Sequence, residues 1–181
     1  MPSNIAPELL LEIPLLRNMS VEDIGHLLAI AEDCQYEADQ IIFEEGAVER
    51  ALYVLLYGQV EIRLPITTFD EAVVTTLTGP SVFGESSFFH PVPHTATAHC
   101  ATAVRAIRLT RDVYDRLATT NPPVAFKLAS NAAAILAQRL QETDRWIEDL
   151  LGEQQDAQTA SSWGRFRSRV GFNFEPQRWG P

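Results

Sequence analysis

Phe83-Gly84-Glu85-Ser86-Ser87-Phe88-Phe89-His90-Pro91-Val92-Pro93-His94-Thr95-Ala96-Thr97-Ala98 is the stretch whose reading decides the fold. It reads as a turn, a short helical start, a proline-bounded loop and a return into a strand. Gly84 permits a backbone conformation and a close approach that a side chain would block. Glu85 offers a pair of acceptors suited to hydroxyls such as those of a ribose. The amides and hydroxyls from Ser86 to Phe89 can converge on one small space, where a helix N-terminus attracts an anion.

The acidic residue nine positions before His94, with Pro91 and Pro93 just ahead of it, has a known counterpart. The layout resembles the phosphate-binding cassette of the cyclic-nucleotide-binding domain, shared by the catabolite activator family and kinase regulatory subunits. That cassette runs roughly Phe-Gly-Glu-Leu-Ala, a short helix, then Pro-Arg-Ala-Ala-Thr. The resemblance implies a nucleotide pocket with Glu85 on the ribose 2′-hydroxyl, and Ser86, Ser87 and Thr95 on phosphate beside Gly84. His94 stands in the arginine's place. An arginine is always charged and grips phosphate in a bidentate way. A histidine is mostly neutral at pH 7 and monodentate. The ligand implied is a cyclic nucleotide, cAMP or cGMP, with binding weakened by about ten- to a hundredfold for the lost charged contact. The other reading of the same residues is a retained fold with an empty or repurposed pocket.

Upstream, Leu15-Leu16-Arg17-Asn18-Met19-Ser20 resembles the family's opening segment. Pro14 breaks any long helix before it, so residues 1–19 predict a short helix packed on the domain. Ser20 caps a second helix, with Asp23 placed to answer it, and Ile24, Leu27, Leu28 and Ala31 follow at helical spacing. From Cys34 to Leu64 the period changes to two. Strands are predicted at 41–43, 51–56 and 60–64, divided at Gly46 and Gly58, and this run resembles the family's paired glycine turns. Further strands are predicted at 72–77, 97–102 and 104–109, with turns at 65–71 and 78–80. Short strands at this pitch predict a mainly β fold with flanking helices: a double-stranded β-helix or jelly-roll barrel, spanning 20–120. A helix starts at Thr110 and runs through Leu117.

Asn121-Pro122-Pro123 opens a long helix to about Leu151. Along it Ala129, Ala133, Leu136, Leu140, Thr143, Ile147 and Leu150 alternate at spacings of four and three, a heptad seam. A lone helix cannot bury that seam along its full length, so a parallel homodimer through 121–151 is expected, as in the catabolite activator family. The bland alternative folds the helix over its own barrel. Gln138-Arg139-Leu140-Gln141-Glu142-Thr143 resembles the part of the activator's dimer helix that touches the base, which makes Arg139 and Thr143 further ligand candidates. Thr143 reads equally as a polar residue that sets register in a coiled coil.

Residues 152–181 change character, with Trp163, Phe166, Phe172, Phe174 and Trp179 among Arg165, Arg167, Arg169 and Arg178. About 30 residues are too few for the helix-turn-helix domain that follows in the family's transcription factors. Docking of this tail within the dimer is the leading expectation.

Composition narrows the classes. The net charge of −10 disfavours wholesale contact with nucleic-acid backbones or anionic membranes, and so direct DNA binding. No secretory signal or membrane-length apolar run appears, and Cys34 and Cys100 have no metal-type spacing, so two free thiols in the cytoplasm are expected. His90, His94 and His99 match no defined metal or haem spacing, and no nucleophile elbow, P-loop or metalloprotease motif occurs. The expectation is a non-catalytic sensor module that signals through its dimer helix to a partner protein. The alternatives are a scaffold dimer with a vestigial pocket and a regulator without its own DNA-binding domain.

Overall fold

The computed structural model describes residues 5–65 and 71–154, with side chains through Ile147. The aromatic-basic stretch 163–179 and residues 66–70 of the expected turn lie outside the described residues. The described residues fall into two units, one ending at Leu136 and one beginning at Ala137.

Where a single short helix was expected at the start, the chain makes two 3-10 turns, Pro7–Leu10 and Pro14–Leu16. A proline opens each, because its fixed φ is already helical and the N–H it lacks would have no intrahelical partner at the first position. Helix α1, Val21–Ile30, follows behind a full capping box: the Ser20 hydroxyl accepts from the Asp23 amide at 3.1 Å, and Asp23 accepts from the Ser20 amide at 3.0 Å.

Eight strands then run β1 Glu32–Tyr36, β2 Ile41–Phe43, β3 Ala51–Tyr57, β4 Gln59–Pro65, β5 Glu71–Thr78, β6 Ser81–Phe83, β7 Thr97–Cys100 and β8 Val104–Thr110. Helix α2, Glu85–Phe89, sits between β6 and β7, and α3, Arg111–Thr120, and α4, Pro122–Gln154, close the described chain. The strands form two four-stranded sheets, ordered β1-β8-β3-β6 and β2-β7-β4-β5, with antiparallel pairing throughout. This is the jelly-roll arrangement expected, as two facing sheets rather than one closed barrel. Strands β1 and β6 were not foreseen.

Strand β3 shows why the fold closes here. Its first five residues, Ala51–Leu55, are all buried, as for a strand covered on both faces. Leu52 and Val54 enter a core shared with the N-terminal turns, α1 and the start of α4. Ala51, Tyr53 and Leu55 enter a second core between the sheets, with Val60, Ala98 and Cys100. Strand β8 divides the same way: Ile107 and Leu109 against the helices, Val104 and Ala106 between the sheets. Gly58 turns β3 into β4 at φ +95°, and a Cβ there would meet the Ala103 carbonyl oxygen at 2.2 Å, so only glycine fits.

The first turns of α4 pack through Val124, Ala125, Leu128 and Ala132. Polar ties hold the same face. Lys127 Nζ lies 2.7 Å from the Asp23 carboxylate, and that bond, with the Ser20 amide, holds the Asp23 carboxyl below its usual range. The Asn131 side-chain amide donates to the carbonyls of Leu15 at 2.9 Å and Arg17 at 2.7 Å, closing the second 3-10 turn. Both cysteines are free thiols, and burial pushes Cys100 up to about 11. No helix among the described residues is long and apolar enough to cross a membrane.

Candidate functional site

The cassette begins where β6 hands over to α2. Gly84 has φ +81°, and an added Cβ would lie 2.5 Å from the Ala51 carbonyl oxygen and 3.2 Å from the Tyr53 ring. The position therefore needs glycine for reasons of fold alone. Gly84→Ala is expected to cost at least about 2 kcal/mol, read as a lower urea midpoint at unchanged m-value. The loop after α2 is fastened to the turn between β2 and β3. The His94 amide donates to the Ala47 carbonyl at 2.9 Å, the Gly46 amide to the His94 carbonyl at 2.8 Å, and the Glu45 amide to the Thr97 hydroxyl at 3.1 Å.

The cassette side chains divide between inside and outside. Glu85, Ser87 and His94 are buried, whereas Ser86 and Thr95 are exposed and Gly84 is half-buried. Inside, the Ser87 hydroxyl and His94 Nδ1 are 3.1 Å apart in a buried hydrogen bond. The His94 ring, 6% exposed, stacks on Phe43 with centroids 3.8 Å apart and planes 14° from parallel. Phe43 continues into Tyr53 and Phe83, at 5.8 and 6.0 Å, and those two rings stack at 4.9 Å. Burial pushes the His94 imidazole below its ordinary value, so it is neutral at pH 7. The residue at the arginine position thus points into the inter-sheet core and bonds to a serine of the same cassette. This geometry offers a phosphate no charge from position 94.

Sequence reasoning missed the cation pair behind the cassette. Arg50, just before β3, donates from Nε to the Ser87 carbonyl at 3.2 Å and from a terminal nitrogen to the Phe88 carbonyl at 2.8 Å. Arg111, the first residue of α3, donates to the same Phe88 carbonyl at 3.3 Å, pairs with Asp115 at 2.8 Å, and lies over the rings of Phe88 and Tyr114 at 5.8 and 5.3 Å. These guanidinium groups answer carbonyls that a five-residue helix leaves open at its C-terminal end. The Tyr114 hydroxyl in turn donates to the Ala125 carbonyl in the first turn of α4, at 3.3 Å. A basic residue far along the chain carries no local pattern that would announce such a contact.

On α4, Ala133, Leu140 and Thr143 of the expected seam are exposed, and Ala129, Leu136 and Ile147 are half-buried; the Leu150 side chain lies outside the described set. Phe126, seven residues before Ala133 and 74% exposed, extends the same line and was not foreseen. In the second unit, the Thr143 hydroxyl donates to the Arg139 carbonyl at 2.9 Å, so it is satisfied within its own helix. No group of three or more His, Cys, Asp or Glu side chains among the described residues is placed to hold a metal ion.

Two antiparallel four-stranded sheets, a glycine-started short helix between β6 and β7, and a long helix after the last strand define the class: a jelly roll with the fold of cyclic nucleotide-binding domains. Residues 33–121 match the cyclic nucleotide-binding domain family, and that stretch of the chain belongs to it. Among curated proteins, the CRP-like cAMP-activated global transcriptional regulator of Mycobacterium tuberculosis is 26% identical over 144 residues, covering 80% of this chain and 62% of that protein. Among solved structures, the Thermus thermophilus catabolite activator protein superposes with TM-score 0.67 at 27% identity, covering 76% of this chain and 62% of that one. A cyclic nucleotide-binding domain from Methylobacillus flagellatus superposes with TM-score 0.72 at 21% identity over 79% of this chain and 83% of that one, a likeness of fold alone. The chain spans about three-fifths of the length of the first two relatives.

Proposed function

We propose that this chain is a non-catalytic regulatory module that pairs with a second copy along α4 and acts on a partner protein, with its cassette resting closed. The observation that carries this reading is the buried Ser87–His94 bond beneath the Phe43 stack. A phosphate entering from the ribose side would have to break that bond and that stack, each worth about 1 kcal/mol. It would gain no guanidinium in return, which forgoes a further 1.5–3 kcal/mol or so. On this reading the cassette of this chain works as a packed element of the fold, and the long helix is the surface through which it acts.

A second reading is that a cyclic nucleotide opens a cassette that rests closed. It is favoured by Gly84 and Glu85, which stand at the cassette's start with the glycine in the left-handed conformation and the carboxylate turned inward. Arg139 and Thr143 would then serve as contacts to the base. One titration separates the two. The melting temperature of the purified protein is measured with and without millimolar cAMP or cGMP, at pH 6 and pH 8. A ligand at 100 times its Kd adds about 2.7 kcal/mol, a shift easily seen. No shift is expected with either nucleotide at either pH. A clear rise with one of them overturns the closed-cassette reading and establishes the sensor.

A further inference from the structure

A cavity of about 30 Å³ lies away from the cassette, between the outer face of the β1-β8-β3-β6 sheet and the helical layer that covers it. Six elements meet around it: Leu10 and Leu15 from the two 3-10 turns, Leu28 from α1, Leu52 from β3, Ile107 from β8 and Leu128 from α4. Its twelve lining residues are all aliphatic. The volume is roughly twice the ~15 Å³ that one water requires. Yet a water there would lack the ~2–4 polar partners that hold a buried water in place. The cavity therefore stays dry, and its walls forgo the contacts that a close-packed core would supply.

We propose that this cavity is a binding site for the tip of a straight-chain aliphatic tail, the head of the molecule remaining at the surface beside α1. Three observations support the choice of occupant. The walls carry no hydrogen-bonding side chain, so a sugar, base or phosphate gains nothing there. The free volume is roughly a fifth of the ~150 Å³ cavity that takes a benzene, room for the end of a chain and not for a ring. The partly exposed Ala31, at the C-terminal end of α1, stands among the lining residues, so the void comes close to the surface there. The cover is also suited to yielding. The 3-10 turns are short elements with poor hydrogen-bond geometry. The Asn131 anchor holds their far end to α4, so the Leu10 end can rise over an entering tail while that anchor stays made. This site is independent of whether the cassette takes a nucleotide.

The test uses n-alkanols from butanol to octanol as probes and methyl-labelled protein observed by NMR. Titration is expected to shift the methyl signals of Leu28, Leu52, Ile107 and Leu128, with affinity rising about fourfold for each added methylene until the tail outgrows the space. Ala31→Leu, which puts a larger side chain against the void, is expected to weaken binding at least tenfold, and Leu28→Phe serves the same purpose if the first variant folds poorly. Equal shifts at Leu55 and Val60 in the inter-sheet core, or no chain-length dependence in the wild-type protein, would overturn the site. So would undiminished binding in a folded filled variant.

Discussion

Leu140→Glu is expected to leave the protein monomeric under conditions in which the wild type sediments as a dimer. The spacing puts Phe126, Ala133, Leu140 and Ile147 on one line of α4, with Ala129, Leu136 and Thr143 on the neighbouring line. Phe126 is 74% and Leu140 60% exposed in the single chain. Phe126, Ala133 and Leu140 are exposed, so that line is not spent on the domain's own core, whereas the neighbouring line borders the buried Ala125 and Ala132. Burying one such leucine in each of two chains is worth about 2–3 kcal/mol per side chain. In a parallel pair the two residues at one heptad position face each other, so glutamate both removes that burial and opposes like charges. Sedimentation velocity at several protein concentrations reads the outcome. Phe126→Glu should act in the same direction, and since residue 126 is exposed in the single chain neither substitution should lower the melting temperature of an isolated monomer by much. A wild-type chain that remains monomeric at high concentration would refute the pairing.

Acid should unfold this protein through His94. The ring is buried, bonded to Ser87 and stacked on Phe43, and burial depresses its folded pKa below 6.5. The unfolded chain therefore takes up a proton before the folded one does. The stability this group contributes is fully present above about pH 6.5 and is lost as pH falls below it toward the depressed folded value. Denaturation free energies measured between pH 7.5 and 5 should fall more steeply for the wild type than for His94→Phe, which keeps a ring against Phe43 and has no proton to gain. Parallel slopes in the two proteins would remove His94 from the account. His94→Arg fixes a cation in the same buried place and is expected to cost about 3 kcal/mol or more at every pH, since a buried charge without a partner is among the most expensive changes a core can suffer.

Much of the architecture was legible because it is written locally. The Ser20–Asp23 capping box, the Asn121-Pro122 helix start and the glycine corners at Gly46 and Gly58 each depend on neighbours within a few positions, and the folded chain has them. Strand β1 was missed because its sequence, Glu-Asp-Cys-Gln-Tyr, is mostly polar and lies at a sheet edge. Strand β6 was missed because three residues are too few to show a period. The cassette could be located from Phe83 to Ala98, but the direction in which its side chains point could not. Whether His94 faces a ligand or the core depends on Phe43, 51 residues earlier, and on a β2–β3 turn that grips the His94 backbone. Such pairings arise only when the sheets close. Arg50 and Arg111 escaped for the same reason, being far in sequence from the carbonyls they serve.

Those two arginines also set how freely the cassette can move. A helix of five residues has little stability of its own and is held by what meets its ends. One guanidinium comes from the threshold of β3 and the other from the first residue of α3, and the Arg111 amide donates to the Arg50 carbonyl at 2.9 Å. Any outward swing of α2 must either tear the Ser87 carbonyl from Arg50 and the Phe88 carbonyl from both groups, or drag the root of α3 with it. Because Arg111 leans on Tyr114, and Tyr114 is tethered to Ala125, the second course also pulls on the base of α4. The short helix and the foot of the long one are in this sense geared together, so a load applied to either is felt at the other.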